Sequence, residues 1–235
     1  MRDHGRTLSP TRIPGIAAAA ASACGVLVLA AAPAHADSGS TTVEPAGHHL
    51  HAVQVGNGSF ETDAPEVSCA VSESQRSASD PVEVNQIPEA PDNHNPDGSV
   101  GGELSAPVFS DCDVDMFLVG ADVTTTPGTW NIEAQHGEDP TITLTVAEHG
   151  EPGGIHVDVT GLTTCDLQVA PGGPVDIEGE WIPGDPGVLV FDEAPIPINE
   201  TTGNFGCPTS DEALFSAEYE IHNETDPSQP VTITD

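Results

Sequence analysis

The sequence predicts an all-β fold, an immunoglobulin-like antiparallel β-sandwich. Apolar and polar residues alternate in short runs, Gly- and Pro-rich turns separate the runs at a spacing of about ten residues, and no window has a sustained helical period. Short strands with frequent turns are typical of a sandwich and not of an α/β enzyme fold. Two tandem β-units are one form of this prediction, and one continuous sandwich with an inserted loop is the alternative.

The first 36 residues have the pattern of a signal peptide. Three arginines precede an apolar, alanine-rich run from Ile16 to Ala32, and Ala34-His35-Ala36 provides the small residues that cleavage before Asp37 requires. We therefore expect export by the general route and a secreted product, either extracellular or on the cell surface. A lipoprotein anchored at Cys24 is one alternative, but Ala21-Ser22-Ala23 lacks the usual bulky residue before the cysteine. An uncleaved membrane anchor is the other, but the run is too weakly hydrophobic to favour it.

Cleavage makes the charge imbalance extreme. It removes three of the four arginines and one of the 38 acidic residues, so the remaining 199 residues carry 37 carboxylates, one arginine (Arg76) and no lysine, for a net charge of −36. Such a surface has no affinity for nucleic acid or for anionic membranes, and it suits a medium of high salt. We therefore predict a halophilic protein that does not insert into a membrane after cleavage.

Three ranges follow the signal peptide. Residues 37–47 are rich in Ser, Thr, Gly and Pro and predict a flexible arm. A smaller β-unit is predicted over 48–128, with a long acidic loop at Ile87–Gly102, and a better-formed β-sandwich domain over 129–235. Trp130, Trp181 and Tyr219 fall on inward strand faces and are predicted core residues. The eight strands predicted in the last range are marked by Trp130, Ile132 and Ala134; Ile142, Leu144 and Val146; Ile155, Val157 and Val159; Cys165, Leu167 and Val169; Val175 and Ile177; Val188 and Val190; Ala217, Tyr219 and Ile221; and Val231 and Ile233.

Four cysteines remain after cleavage, an even number in an oxidising compartment, so two disulfides are expected among three connectivities. Cys69 and Cys112 are 43 residues apart, and Cys165 and Cys207 are 42 apart. The near-equal separations suggest a duplicated unit. They predict the bridges Cys69–Cys112 and Cys165–Cys207.

One segment resembles the opening of a calcium loop. Asn93, Asn95 and Asp97 place oxygen ligands at alternate positions, and Gly98 provides the sharp turn. Glu103, the candidate closing ligand, comes one place early, and no helix is predicted on either side, so an EF-hand is excluded. The alternative is an Asn-Pro-Asp-Gly turn on a solvated loop. Ca²⁺ is the one cofactor that the sequence suggests, and looser calcium binding between acidic loops would add the donors Asp111, Asp113 and Asp115.

His48, His49 and His51 form the second candidate metal site. Imidazoles at this spacing can converge on a transition-metal ion together with a nearby carboxylate. The alternative for these residues, and the expectation for the other histidines, is exposed polar side chains.

A resemblance covers about Trp130 to Ile221. Gly128-Thr129-Trp130, the Gly-Leu-Thr-Thr turn before Cys165, Gly179-Glu180-Trp181, Ala194-Pro195-Ile196-Pro197 and Gly206-Cys207 follow one another in this order. In this order the chain resembles small secreted proteins common in actinobacteria, a group with no assigned activity. The resemblance implies a compact disulfide-linked sandwich and an origin, and it implies no function.

No motif of a catalytic site is present. The chain has no Gly-x-Ser-x-Gly, no His-Glu-x-x-His and no phosphate-binding glycine loop, so we predict no enzyme activity. The first function class is a non-enzymatic extracellular module that binds a protein partner or a wall component through loops at one end of the sandwich. The second is a calcium-dependent adhesion or ion-sequestering protein. A secreted hydrolase is the third and least favoured class.

Overall fold

The computed structural model describes residues 39–203 and 205–235. The predicted signal peptide, 1–36, and the alternative anchor at Cys24 lie outside the described residues. In the described part of the chain the regular structure consists of strands, which confirms the all-β prediction. No helix in that part is long and apolar enough to cross a membrane.

The described residues form fifteen strands, and the eight strands predicted after residue 129 correspond to the last eight of them. The strands are β1 (Thr41–Glu44), β2 (Leu50–Glu61), β3 (Val67–Gln75), β4 (His94–Asn95), β5 (Val100–Ser105), β6 (Val108–Val114), β7 (Val119–Thr125), β8 (Thr129–Gln135), β9 (Thr141–Val146), β10 (Ile155–Gly161), β11 (Cys165–Val169), β12 (Val175–Ile182), β13 (Gly187–Gly203), β14 (Glu212–Asn223) and β15 (Thr232–Thr234).

Eight strands close into a hydrogen-bonded ring. Their order is β11-β10-β7-β6-β3-β2-β14-β13, and β13 pairs with β11 to complete the circle. Closure depends on the length of β13, because its first part pairs with β12 and β14 while its last part, from residue 198 to 203, pairs with β11. The immunoglobulin-like form of the prediction is not confirmed, because that fold keeps two separate sheets and here one sheet returns on itself.

The sheet continues beyond the ring, and the apolar core continues with it. From β13 the strand order continues through β12, β9 and β8 to β5, and we call these last four strands the extension. A separate three-stranded sheet, β15-β1-β4, lies beside the extension. Val43 of β1 and Ile233 of β15 line the same internal space as Trp130 and Trp181 of the extension. The space inside the ring is lined by Phe60, Val67, Val157, Leu167 and Ile198 among others, and the buried side chains of both spaces belong to one apolar core.

The two predicted β-units contribute jointly to the ring. Range 48–128 supplies β2, β3, β6 and β7, and range 129–235 supplies β10, β11, β13 and β14. The longest contact between the ranges is the antiparallel pairing of β2 with β14, from Leu50 opposite Asn223 to Glu61 opposite Leu214. Neither range therefore closes the ring by itself.

The segment expected to be a flexible arm, 37–47, contains a paired strand. β1 lies between β15, at the far end of the chain, and β4, and its Val43 is 7% exposed. Local composition predicts no structure here because the partners of this backbone are remote in sequence. The expected long loop at Ile87–Gly102 likewise contains β4 and the start of β5, and Ile87 is buried.

The inward face of β13 differs from the expected one. The sequence predicts Val188 and Val190 as its apolar face, whereas Leu189 and Phe191 are buried and the two valines are half-buried. All four side chains are apolar, so alternation cannot decide which pair faces inward. The predicted core positions of Trp130, Trp181 and Tyr219 are confirmed, since each is at most 6% exposed.

Both predicted disulfides are confirmed. Cys69 on β3 lies opposite Cys112 on β6, and the bridge joins two neighbouring strands of the ring. The second bridge ties Cys165, at the start of β11, to Cys207 in the segment before β14. Two formed bridges suit an oxidising compartment, as expected for an exported protein.

Candidate functional site

The predicted calcium-loop residues form a turn and two strand contacts. The Asn93 amide nitrogen donates to the Val43 carbonyl at 3.0 Å and to Glu44 Oε1 at 3.1 Å. The Asn95 side chain donates to the Ser99 carbonyl at 2.7 Å and accepts from the Asp97 backbone N–H at 3.1 Å. The Asn95 contacts are those of an Asn-initiated turn, and the Asn93 contacts tie the segment to β1.

The other predicted calcium donors lie on strands or, for Asp115, just after one. Glu103 is exposed on β5, where it pairs with Asn131 of β8. Asp111 and Asp113 are exposed on β6, and Asp115 is exposed just after this strand. The Asp113 carboxylate accepts a hydrogen bond from the Val114 backbone N–H at 2.9 Å.

The three neighbouring histidines take different partners. His48 Nδ1 lies 3.2 Å from Asn223 Oδ1, and His49 Nε2 lies 2.9 Å from the Val82 carbonyl oxygen. His51 lies between two carboxylates, Glu73 at 3.8 Å and Glu224 at 3.9 Å. In the described part of the chain, this trio is not among the groups whose ligand atoms converge on one point.

Four large apolar side chains are exposed together at one end of the ring. They belong to the β6–β7 turn, the β10–β11 turn and the segment before Cys207, and their exposed fractions are 81% for Phe117, 64% for Leu118, 68% for Leu162 and 96% for Phe205. We call these four residues the end-loop cluster. Exposed apolar residues are ordinary when scattered singly, whereas a contiguous group on adjacent loops marks an interaction surface.

Hydrogen bonds to backbone carbonyls hold the three loops side by side. The Leu162 N–H donates to the Leu118 carbonyl at 3.2 Å, and the Thr163 hydroxyl donates to the Phe205 carbonyl at 3.0 Å. Gly161 has φ of +123°, and a Cβ there would lie 2.1 Å from the Leu118 oxygen, so only glycine fits at this crossing. The loops therefore present the end-loop cluster as one surface.

A carboxylate fixes the segment that follows Phe205. Asp63 accepts hydrogen bonds from the Thr209 hydroxyl, from the Thr209 N–H at 2.8 Å and from the Ser210 N–H at 3.1 Å. These donors, the Thr209 hydroxyl first, lower the pKa of Asp63 to about 2. The Asp63 carboxylate therefore stays charged in neutral and mildly acidic solution. The Cys165–Cys207 bridge anchors the same segment to β11.

Acidic residues cover the rest of the surface without entering the core. No aspartate or glutamate whose side chain the structure describes is buried. The ion pairs in the described part of the chain all involve histidine. Arg76, the lone basic side chain of the predicted mature chain, donates to the carbonyls of Pro81 and Asp80. Among the described residues, the carboxylates therefore have few fixed cationic partners.

One group of potential metal ligands converges on the outer wall of the ring. His156 and Asp158 share one face of β10, and Asp166 lies opposite Asp158 on β11. His156 Nε2 lies 3.3 Å from Asp158 Oδ2 and 3.7 Å from Asp166 Oδ2. Within the described ranges this is the one group of three or more His, Cys, Asp or Glu side chains whose ligand atoms lie within 4.8 Å of one another.

The surroundings of this group favour a cation. Asp122 on β7 lies opposite Asp158 on its other side, so three carboxylates form a row across three strands. Like charges placed directly opposite each other in a sheet repel, and a bound cation would relieve this repulsion. The His149 ring packs on the His156 ring, with centroids 5.4 Å apart. An imidazole with carboxylates suits a transition-metal ion better than it suits Ca²⁺.

Neither the end-loop cluster nor the His156 group stands out in the sequence alone. His156-Val157-Asp158 on a predicted strand does place both polar side chains on one face, and a short turn to β11 brings Asp166 opposite. For the cluster, the one signal is that Leu162 lies in the Gly-Leu-Thr-Thr turn before Cys165, and no turn is predicted at Phe117-Leu118. That the turns are adjacent follows only from ring closure.

Comparison with known proteins gives no relative in which the end-loop cluster or the His156 group could be compared. No protein-family model, no curated protein and no solved structure matches this chain.

Proposed function

We propose that this chain is an exported, non-enzymatic binding module that works in strong salt and contacts an extracellular protein partner or wall component through the end-loop cluster. The observation that carries the proposal is the exposure of Phe117, Leu118, Leu162 and Phe205 on three hydrogen-bonded loops. The resemblance to secreted actinobacterial proteins is part of the same proposal.

Salt decides which kind of contact can hold a partner. At 1 M salt the Debye length is about 3 Å, so charge-based recognition by exposed carboxylates is largely screened. Apolar contact is not screened, and salts that are excluded from protein surfaces strengthen it. On a surface this rich in carboxylates, the end-loop cluster is therefore the part best suited to recognition in a salty medium.

We expect the wild-type protein to sediment with insoluble cell-wall material in about 2 M NaCl, a salt range in which charges are screened, and a cluster variant to remain in solution. The variant carries Phe117→Ser, Leu118→Asn, Leu162→Ser and Phe205→Ser; asparagine is chosen because Leu118 has φ of +56°, which Asn tolerates. The measurement is the bound fraction after centrifugation, repeated with vesicles of neutral lipid to separate a wall component from a lipid surface.

The matched control replaces exposed valines elsewhere. Val108→Ser and Val82→Ser alter side chains that are 68% and 53% exposed, and Val108 lies at the far end of β6, about 20 Å from the loop of Phe117. The control should bind like the wild type. Equal sedimentation of wild type and cluster variant, whether both bind or neither does, would contradict the proposal.

A second candidate function is the binding of a divalent transition-metal ion by His156, Asp158 and Asp166. The convergence of one imidazole and two carboxylates supports it. We expect His156→Gln and Asp158→Asn each to weaken Zn²⁺ binding at least about tenfold, because each removes a direct ligand. The measurement is isothermal titration calorimetry in about 1 M NaCl, which screens diffuse attraction to the acidic surface.

His222→Gln provides the control for the metal experiment. His222 Nε2 lies 3.2 Å from Glu220 Oε2, a His–carboxylate pair that is not part of a three-ligand group among the described residues. This variant should retain wild-type affinity. If all three variants bind Zn²⁺ equally, or if Ca²⁺ binds as tightly as Zn²⁺ at equal ionic strength, the His156 group is not a transition-metal site.

A further inference from the structure

Met116 carries the one thioether of the predicted mature chain. The chain has two methionines, Met1 is removed with the signal peptide, and the four cysteines that remain are paired in disulfides. A peroxide converts a thioether to a sulfoxide, which is polar and which reductases can convert back to methionine. Mild oxidation of this protein is therefore directed at one residue.

Met116 lies where the three loops of the end-loop cluster meet. It precedes Phe117 in the β6–β7 turn, and its side chain packs partly buried against the core. It lines the space at the end of the ring together with Thr163, in the β10–β11 turn, and Gly206, which follows Phe205. Its partial exposure leaves Met116 within reach of a molecule as small as hydrogen peroxide.

The Thr163 hydroxyl connects Met116 to Phe205. Its oxygen lies 3.9 Å from the Met116 sulfur and donates to the Phe205 carbonyl at 3.0 Å. Thr163 is 5% exposed, and a Cβ on Gly206 would lie 2.9 Å from the hydroxyl oxygen, so the hydroxyl is closely surrounded. A hydroxyl has one proton to donate, and a thioether is a weak acceptor, so the carbonyl receives this proton.

We propose that Met116 is an oxidation site, and that its sulfoxide releases the loop of Phe205 and thereby weakens binding by the end-loop cluster. In the reaction the Met116 sulfur attacks one oxygen of hydrogen peroxide. An S–O bond forms, the O–O bond breaks, and the proton of the transferred oxygen leaves with the other oxygen as water. The sulfur loses two electrons and the peroxide gains them.

The sulfoxide competes with the Phe205 carbonyl for the Thr163 proton. An oxygen added to the sulfur on the side of Thr163 comes within hydrogen-bonding distance of the hydroxyl and accepts more strongly than the sulfur did. The carbonyl then loses its donor. The Cys165–Cys207 bridge and the contact of Asp63 with Thr209 hold the chain only after Phe205, so Phe205 itself is released.

The first measurement needs no binding partner. The mature protein in about 2 M NaCl is treated with hydrogen peroxide until its mass has risen by about 16 Da, one oxygen atom. In a ¹⁵N-correlated spectrum we expect the amide resonances of Thr163, Phe205 and Gly206 to shift, although these residues are remote from Met116 in sequence. Two results would overturn the proposal: no oxygen on Met116, or an oxidised Met116 with the resonances of Phe205 and Gly206 unchanged.

Sedimentation with cell-wall material is the second measurement, and it rests on the proposed binding by the end-loop cluster. Oxidation should weaken binding at least about fivefold, the effect of one net hydrogen bond. If the untreated protein does not sediment, the binding function fails, while the spectrum still decides whether oxidation releases Phe205. If treated and untreated protein sediment equally, Met116 does not control binding.

Met116→Leu provides the matched control, because leucine keeps an apolar side chain of similar volume and has no sulfur. Treated and untreated samples of this variant should have the same mass, the same spectrum and the same bound fraction. A loss of binding in the treated variant as large as in the treated wild type would assign the effect of peroxide to another residue and contradict the proposal.

Discussion

Replacing Cys69 and Cys112 with alanine should lower the melting temperature of the protein by about 12 °C. The bridge closes a loop of 43 residues, for which the chain-entropy estimate is about 4 kcal/mol, and 1 kcal/mol corresponds to about 3 °C in a protein of this size. Alanine is preferred to serine because Cys69 is 1% exposed and a hydroxyl there would be buried. The measurement is a circular-dichroism melt in high salt.

The second bridge provides the comparison. Cys165→Ala with Cys207→Ala opens a loop of 42 residues, so the entropy estimate gives nearly the same loss of stability. It should in addition release the segment that carries Phe205, and thus weaken binding by the end-loop cluster, which the Cys69–Cys112 variant should retain. A change of less than about 3 °C in either double variant would show that the bridges do not stabilise this fold by the loop-closure mechanism.

Lowering the salt concentration should destabilise the protein more than any single substitution considered above. The 37 carboxylates of the predicted mature chain lie about 15 Å apart on a surface of about 9,000 Å². At about 0.01 M salt the Debye length is about 30 Å and each carboxylate repels several neighbours, whereas at 1 M it is about 3 Å. We expect the melting temperature to rise by about 15 °C or more over this range, which corresponds to about 5 kcal/mol.

The control for this experiment separates screening from preferential exclusion. Sucrose at the osmolality of the NaCl solution is excluded from protein surfaces and does not screen charge. It should therefore raise the melting temperature much less than NaCl does. Equal melting temperatures and equal far-ultraviolet circular dichroism at low and high salt would contradict the proposal of salt adaptation.

Local pattern was sufficient for the eight strands after residue 129, and the separation of the cysteines for the bridges. Val157 and Val159, or Leu167 and Val169, alternate with polar residues, and all of them face the interior. The pattern was insufficient where both faces of a strand are apolar, as in Val188-Leu189-Val190-Phe191, and where the partner strand is remote, as in β1. It was also insufficient for both candidate surfaces, because Leu118, Leu162 and Phe205 come together only when β7, β10 and β11 are neighbours.

The sequence by itself determined the class of structure, the disulfide pairing and the acidity of the surface. These properties depend on residue type, on period-two alternation and on separation along the chain. Only the tertiary structure decided that the sheet closes through β13, that three end loops share an apolar surface and that His156 converges with two aspartates. The physical reason is that strand pairing joins segments more than a hundred residues apart, as in β2 with β14, and no local pattern encodes which distant backbone will accept a strand's hydrogen bonds.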